Sequence, residues 1–249
     1  MRSLLLTAIA LLFSNGAFAF TVTSSTNPNM KGWETAELTL MLNVSNCPSS
    51  IDVEGIIKEA AEVWNNVPTS KLKVSIGGNT SSTTTDPQPT VYCETNFQAV
   101  TGADQNYVPG GARPNSSTGQ LTSGLLTLNV SPGNGNISNF SRTKLTIILA
   151  HEIGHLVGLG HSESTNALMY YDGTLKAELH LSQDDVDGVT YLYPSDEFMD
   201  GKIAGCGRVG TIPPPPSSGH LIVTLLALLT PILVAQGMRP RRAVRVNKS

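Results

Sequence analysis

The chain has 249 residues, 40% of them hydrophobic and only 14% charged, with a formal net charge of −3. Residues 20–219 hold ten basic against nineteen acidic side chains, which excludes nucleic acid as the main partner because phosphate binding needs a basic footprint. Three cysteines are too few for a disulfide-built miniprotein, and the periodic apolar segments exclude wholesale disorder.

The first element is an address. Met-Arg-Ser, an apolar run from Leu4 to Phe13 and a small-x-small close at Ala17-Phe18-Ala19 predict a signal peptide over residues 1–19. Cleavage after Ala19 would leave Phe20 as the new N-terminus. Residues 20–36 are rich in Ser, Thr and Asn and read as an extended arm. Glu37 to Val44 alternates polar and apolar, the pattern of a half-buried strand. Ser49 or Ser50 could cap a helix from about Asp52 to Asn66, in which Val53, Ile56, Ile57, Ala60, Val63 and Trp64 recur at helical spacing before Pro68. Leu72 to Ile76 reads as a second strand, Val91 to Phe97 as a third and Gly124 to Val130 as a fourth. Gly77 to Thr90 and Thr101 to Thr118 read as loops. Thr146 to Val157 has the look of a buried helix, led in by Ser141 or Thr143 as a cap.

The other end is a second address. Residues 201–220 form a Gly/Cys/Pro-rich linker whose four prolines, Pro213 to Pro216, favour an extended chain. Leu221 to Met238 follows without a charge, and 18 residues at 1.5 Å each give roughly 27 Å, just enough to cross a bilayer as a helix. The basic tail, residues 239–249, would lie in the cytoplasm by the positive-inside rule. In an oxidising compartment Cys47 and Cys93 can pair, which leaves Cys206 alone. Cysteine, spacer, apolar span and arginines in that order resemble the tripartite sorting tails of some Gram-negative bacteria. That resemblance implies tail processing or lipidation at Cys206.

Three of the five histidines fall within eleven residues, in His151-Glu152-Ile153-Gly154-His155-Leu156-Val157-Gly158-Leu159-Gly160-His161. Two histidines four apart share one helix face, one turn from each other, so both imidazoles can reach one ion. Gly158 lets the backbone leave the helix with a left-handed residue, and His161 can then supply a third nitrogen. Three neutral nitrogens suit one catalytic Zn2+ with a position left for water. Glu152, beside the first ligand, could take a proton from that water as it attacks a carbonyl and hand it to the leaving amine. Met169 follows eight residues after His161.

The run H-E-x-x-H-x-x-G-x-x-H with its downstream methionine is the metzincin signature, and the chain resembles a matrixin-type metzincin. Ser162 after His161, Ala167-Leu168-Met169-Tyr170, the stretch Leu181 to Val189 before Leu192-Tyr193-Pro194, Gly32-Trp33, and Ala61 to Pro68 carry that resemblance over about residues 31–194. It implies an α+β fold: a twisted mixed sheet, two long helices, and a short C-terminal subdomain with a Met-turn at Met169 and a final helix. It implies a zinc peptidase domain over residues 37–200, monomeric, whose edge strand, taken as Gly124 to Val130, pairs with an extended peptide substrate. It also offers the Phe20 ammonium a partner in Asp184 or Asp185 of the last helix; the other reading of these two is solvated carboxylates at a helix start, favourable to its dipole. Tyr171 stands where the family often has a proline, either lining a pocket or donating to the oxyanion. No cysteine-switch prodomain is expected. His180 and His220 are too few for the family's structural zinc, and Ca2+ has no clear motif. The expectation is an exported zinc endopeptidase, anchored at the extracytoplasmic face of a membrane or released by tail processing. The rival readings are a zinc-containing surface binding module without activity and a metal-dependent hydrolase of cell-wall amides.

Overall fold

Leu38, Leu40 and Leu42, every second residue of Glu37–Asn43, are essentially inaccessible to water, so this alternating run seats a strand at the centre of the core. The computed structural model describes residues 20–23, 30–84 and 88–195. The expected signal peptide, linker with Cys206, membrane span and basic tail lie outside the described residues. Among the described residues no helix is long and apolar enough to cross a membrane.

In chain order the elements are β1 (Gly32–Trp33), β2 (Glu37–Asn43), α1 (Val53–Asn65), β3 (Lys73–Asn79), β4 (Thr90–Glu94), α2 (Phe97–Thr101), β5 (Gly110–Ser117), β6 (Gln120–Asn129), α3 (Arg142–Leu156) and α4 (Gln183–Leu192), with short 3-10 turns at Ile137–Asn139 and Gly173–Leu175. The strands form one mixed sheet in the order β3-β2-β4-β6-β5, and β1 lies beside the start of β6. Every pairing is parallel except β5 with β6. The architecture is α+β, a mixed sheet with two long helices and a short final one.

Helix α1 begins where the Asp52 side chain accepts the Gly55 N–H at 3.0 Å, two or three residues after the expected serine caps. It buries Val53, Ile56, Ile57, Ala60, Ala61 and Trp64, and Trp64 Nε1 donates to Ala150 O of α3 at 2.9 Å. Helix α3 starts at Ser141, the first of the two expected caps. Its residues from Leu145 to His151 are all buried, as befits a helix that is apolar all round. Its last carbonyls lack intrahelical partners and find them elsewhere: Trp33 Nε1 donates to Leu156 O at 2.8 Å, and the Tyr193 hydroxyl to Val157 O at 2.6 Å.

The structure corrects several boundaries. The third strand ends at Glu94, and Phe97 opens the short helix α2 instead. Residues expected as loop, Gly110–Ser117, form β5. Gly124 to Val130 is no edge strand, because β6 lies between β4 and β5; β3 is the edge on the other side of the sheet, and the edge on this side is β5. Its sequence, Gly-Gly-Ala-Arg-Pro-Asn-Ser-Ser, consists of residues depleted in strands, which is why it reads as a loop. The extended arm is tied to the fold at two places. Val22 bridges Leu159, and β1 pairs with Gln120 and Leu121 of β6.

Cys47 and Cys93 are bonded across 46 residues, tying the β2–α1 connection to buried β4. Closing a loop of that length stabilises a fold by about 2–4 kcal/mol. Replacing both cysteines by serine is expected to lower unfolding free energy by that amount in a denaturant titration. An unchanged midpoint would show that the bond adds nothing to stability.

Candidate metal centre

His151 and His155 lie one turn apart on α3, and the chain leaves that helix through Gly158 in a left-handed conformation (φ +108°) to return His161 to them. The ligating nitrogens of the three rings lie within 4.8 Å of one another, and His155 Nε2 and His161 Nε2 are 3.2 Å apart. Bonds of about 2.0–2.1 Å to a tetrahedral zinc require nitrogens about 3.3 Å apart; the His155–His161 pair has that spacing, and the triad is compact enough for its three rings to hold one Zn2+.

Two of the rings are already aimed. His151 Nδ1 donates to Leu168 O and His155 Nδ1 to Leu159 O, each at 2.8 Å, which puts the proton on Nδ1 and the lone pair on Nε2. Burial holds all three imidazoles below the ordinary histidine pKa, His155 down to about 3, so they are neutral and ready to ligate at pH 7. The third ligand is braced from the arm. Gly160 N–H donates to Thr21 O at 2.8 Å, the Thr21 hydroxyl to His161 O at 2.6 Å, and the Thr23 hydroxyl to Leu159 O at 2.6 Å.

Glu152 is half-buried beside the first ligand, and its Oε2 accepts the Ala112 N–H of β5 at 2.7 Å. Burial pushes its carboxyl up to about 8, with the Ala112 bond opposing the rise. A dication nearby favours the ionised form. Next to Glu152 and His151 opens a cavity of about 360 Å3, walled by Val108, Pro109 and Gly110 on one side and Asp172 to Thr174 on the other, with Ile148 and the exposed Tyr107 and Tyr171. Tyr171 thus sits among the cavity residues, its ring centroid 4.5 Å from that of Tyr170. Lys144 Nζ fixes the far wall by donating to Thr174 O at 2.6 Å and Lys176 O at 2.5 Å.

Met169 is buried at the turn below the histidines, and Ser162 N–H donates to its carbonyl at 2.8 Å. A Cβ on Gly154 would come within 2.2 Å of the Met169 sulfur and 2.9 Å of Trp64, so only glycine allows the turn to pack there. Asp185 holds that turn in place. Its Oδ2 accepts from Leu168 N–H at 2.7 Å and from the Ser182 N–H and hydroxyl at 2.8 Å, and its Oδ1 from Met169 N–H at 2.9 Å. Asp184 differs, since its buried Oδ2 has no hydrogen-bond partner among the described residues.

Sequence reasoning grouped His151, Glu152, His155, His161 and Met169, and the structure brings these together. It missed Asp185 as the clamp on the Met-turn, Ala112 as the partner of Glu152, and Thr21 and Thr23 as braces. The Ser-x-x-Asp spacing at the start of α4 does mark Asp185 as one half of a capping box, a signal visible without coordinates. Cys47 and Cys93 are not among the residues lining the cavity, and Cys206 lies outside the described residues.

A family model described as Matrixin matches residues 32–194. The chain is 31% identical to an interstitial collagenase of Bos taurus over 180 residues, covering 67% of this chain and 34% of that protein. It is 52% identical to stromelysin-1 of Rattus norvegicus over 62 residues, covering 23% and 13% of the two chains. To metalloendoproteinase 2-MMP of Arabidopsis thaliana it is 38% identical over 77 residues, covering 30% and 18%. The chain thus spans about a third of the length of the collagenases it matches.

Asp185→Asn turns a donor toward amides that need an acceptor, a loss of about 2–3 kcal/mol for bonds to a buried charged group. That drop is expected in urea unfolding of the zinc-free chain, with zinc surrendered to a chelator at least about tenfold faster. Wild-type stability and retention would show that the clamp is redundant.

Proposed function

Because the chain belongs to the matrixin family, we propose that it is a zinc-dependent endopeptidase acting on extracellular or envelope proteins, with Glu152 as its general base. The observation that carries this reading is one constellation: three neutral imidazoles whose ligating nitrogens lie within 4.8 Å of one another and the Glu152 carboxylate beside them, facing the edge strand β5. His151, His155 and His161 would hold the ion. Bound zinc supplies a lowered water pKa and charge stabilisation for the carbonyl oxygen. Glu152 takes the proton from water as its oxygen adds to the peptide carbon, and returns it to the amine nitrogen as the C–N bond breaks. The Ala112 N–H steadies the carboxylate between these transfers.

An extended substrate adds to β5 in antiparallel sense. Its N-terminal part then lies toward Ser117 and its C-terminal part toward Gly110, where the 360 Å3 cavity opens. The cavity therefore takes a side chain from the C-terminal side of the cleaved bond, and Tyr107 and Tyr171 flank it.

The two addresses support export and tethering. The start Met-Arg-Ser with its apolar run supports removal of residues 1–19, and Leu221 to Met238 with the arginines after it supports an anchor at residues 221–238. Removal of the leader also gives Asp184 its partner. Phe20 packs against Gly188 of α4, its ring 5.4 Å from that of Tyr191, and shares a shallow depression with Asp184. A free ammonium at Phe20 would pair with the orphaned Asp184 Oδ2.

Two experiments test these points. Glu152→Ala should retain one zinc per chain while kcat/KM on a fluorogenic peptide falls about 10²–10⁴-fold. Zinc-loaded wild type that cleaves no peptide would support the binding-module reading instead. Protein beginning at Phe20 should be about 1–3 kcal/mol more stable than protein extended by two residues, with the gap abolished by Asp184→Asn. A gap that survives in Asp184→Asn would refute the pairing.

A further inference from the structure

Among the described residues strand β5 has one neighbouring strand, β6, and its other edge faces the site, where the Ala112 N–H meets Glu152. Its register runs from Gly110 opposite Leu128 to Asn115 opposite Ser123, and the Asn129 N–H donates to Pro109 O at 2.9 Å. Antiparallel strands alternate, so Gly111, Arg113 and Asn115 turn their backbone groups toward β6 and Gly110, Ala112 and Pro114 turn theirs outward. The Ala112 N–H bond to Glu152 confirms that phase.

The outward positions are unequal. Gly110 offers both an N–H and a C=O. Ala112 offers only its carbonyl, because Glu152 takes its N–H. Pro114 offers only its carbonyl, because proline has no N–H. No hydrogen bond among the described residues uses the carbonyls of Gly110, Ala112 or Pro114. From Glu152 to the register shift at Asn115/Ser116, the edge therefore accepts hydrogen bonds and donates none to a substrate.

We propose that Pro114 is a specificity-determining residue that makes this half of the edge a one-way surface, reading a substrate upstream of the cleaved bond by its N–H groups alone. The inference rests on the peptidase reading. In an antiparallel pair the residue opposite Ala112 adjoins the cleaved bond, because Glu152 lies there. The residue opposite Pro114 is two further toward the N-terminus, the third before that bond. Its N–H donates to Pro114 O, while its own carbonyl meets the proline ring and stays without a donor. A substrate with proline at this third position has no N–H either, so the pair makes no hydrogen bond at all. The substrates favoured are extended peptides whose third residue before the cleaved bond keeps its N–H.

Proline on a free edge can also act purely as a guard against edge-to-edge association of two chains. The two roles give different results in one experiment. Binding is measured calorimetrically on the zinc-loaded full chain, using peptides whose cleaved amide is replaced by a reduced, uncleavable linkage. At the third residue, an ester removes the N–H and a thioamide weakens the carbonyl as an acceptor. A typical net hydrogen bond corresponds to about a 3- to 10-fold change in affinity. Wild type should lose about that factor to the ester and change less than about twofold with the thioamide. Pro114→Ala touches no bond to β6. It should bind the parent peptide about 3- to 10-fold tighter and become sensitive to the thioamide by a similar factor. Equal thioamide sensitivity in wild type, or unchanged affinity in Pro114→Ala, overturns the inference. Unchanged affinity with new dimerisation of Pro114→Ala assigns the guard role alone. The parent amide peptide, assayed alongside for cleavage, separates the two levels: intact cleavage with these negative results removes only the role of Pro114, whereas no cleavage removes the peptidase reading and this inference with it.

Discussion

The centre depends on two hydrogen bonds from imidazole Nδ1 to backbone carbonyls, His151 to Leu168 and His155 to Leu159. Each fixes a tautomer and a ring plane before any ion arrives, so the cost of ordering the ligands is met during folding. Both acceptors are turn carbonyls rather than helix carbonyls. Leu168 belongs to the turn that Asp185 clamps, and Leu159 to the loop that Thr21, Val22 and Thr23 brace. The rings are therefore only as well placed as the turns that hold them. The last helix and the N-terminal arm, which contribute no ligand, thus bear directly on the site.

A second coupling joins the helix to the sheet. Glu152 reaches from α3 to the Ala112 amide, so the proton-transferring group and the substrate-binding edge share one bond. Steric constraints reinforce the arrangement from below. Trp64, Met169 and Gly154 meet at a point where a single added methyl group has no room. The buried helix, the methionine turn and α1 consequently hold a common position, and the histidines on α3 inherit it.

How much of this was legible in the sequence depends on where each signal resides. The zinc ligands were legible because spacing along a helix fixes which residues share a face, and Gly158 announces the turn that follows. The central strand β2 was legible from strict alternation. Strand β5 was not. Gly110, Gly111, Pro114 and Asn115 carry low strand propensity, and pairing with β6 overrides it. Mistaking β6 for the edge followed from that omission, since a sheet read without β5 ends at β6. The work of Asp185 was hidden for a different reason. The Ser-x-x-Asp spacing marks Asp185 as a helix cap, but only the fold brings the Met-turn amides to its carboxylate and leaves Asp184 Oδ2 buried without a hydrogen-bond partner among the described residues.

The central claim is that His151, His155 and His161 gather around one ion with solvent in the remaining position. X-ray absorption at the zinc edge of the loaded full chain tests it most directly. The account predicts one zinc per chain, with three imidazole nitrogens and light-atom solvent scatterers at about 2.0–2.1 Å, and one imidazole fewer in His161→Ala. A shell with fewer than three imidazoles, sulfur at about 2.3 Å, or a spectrum that His161→Ala leaves unchanged would contradict it.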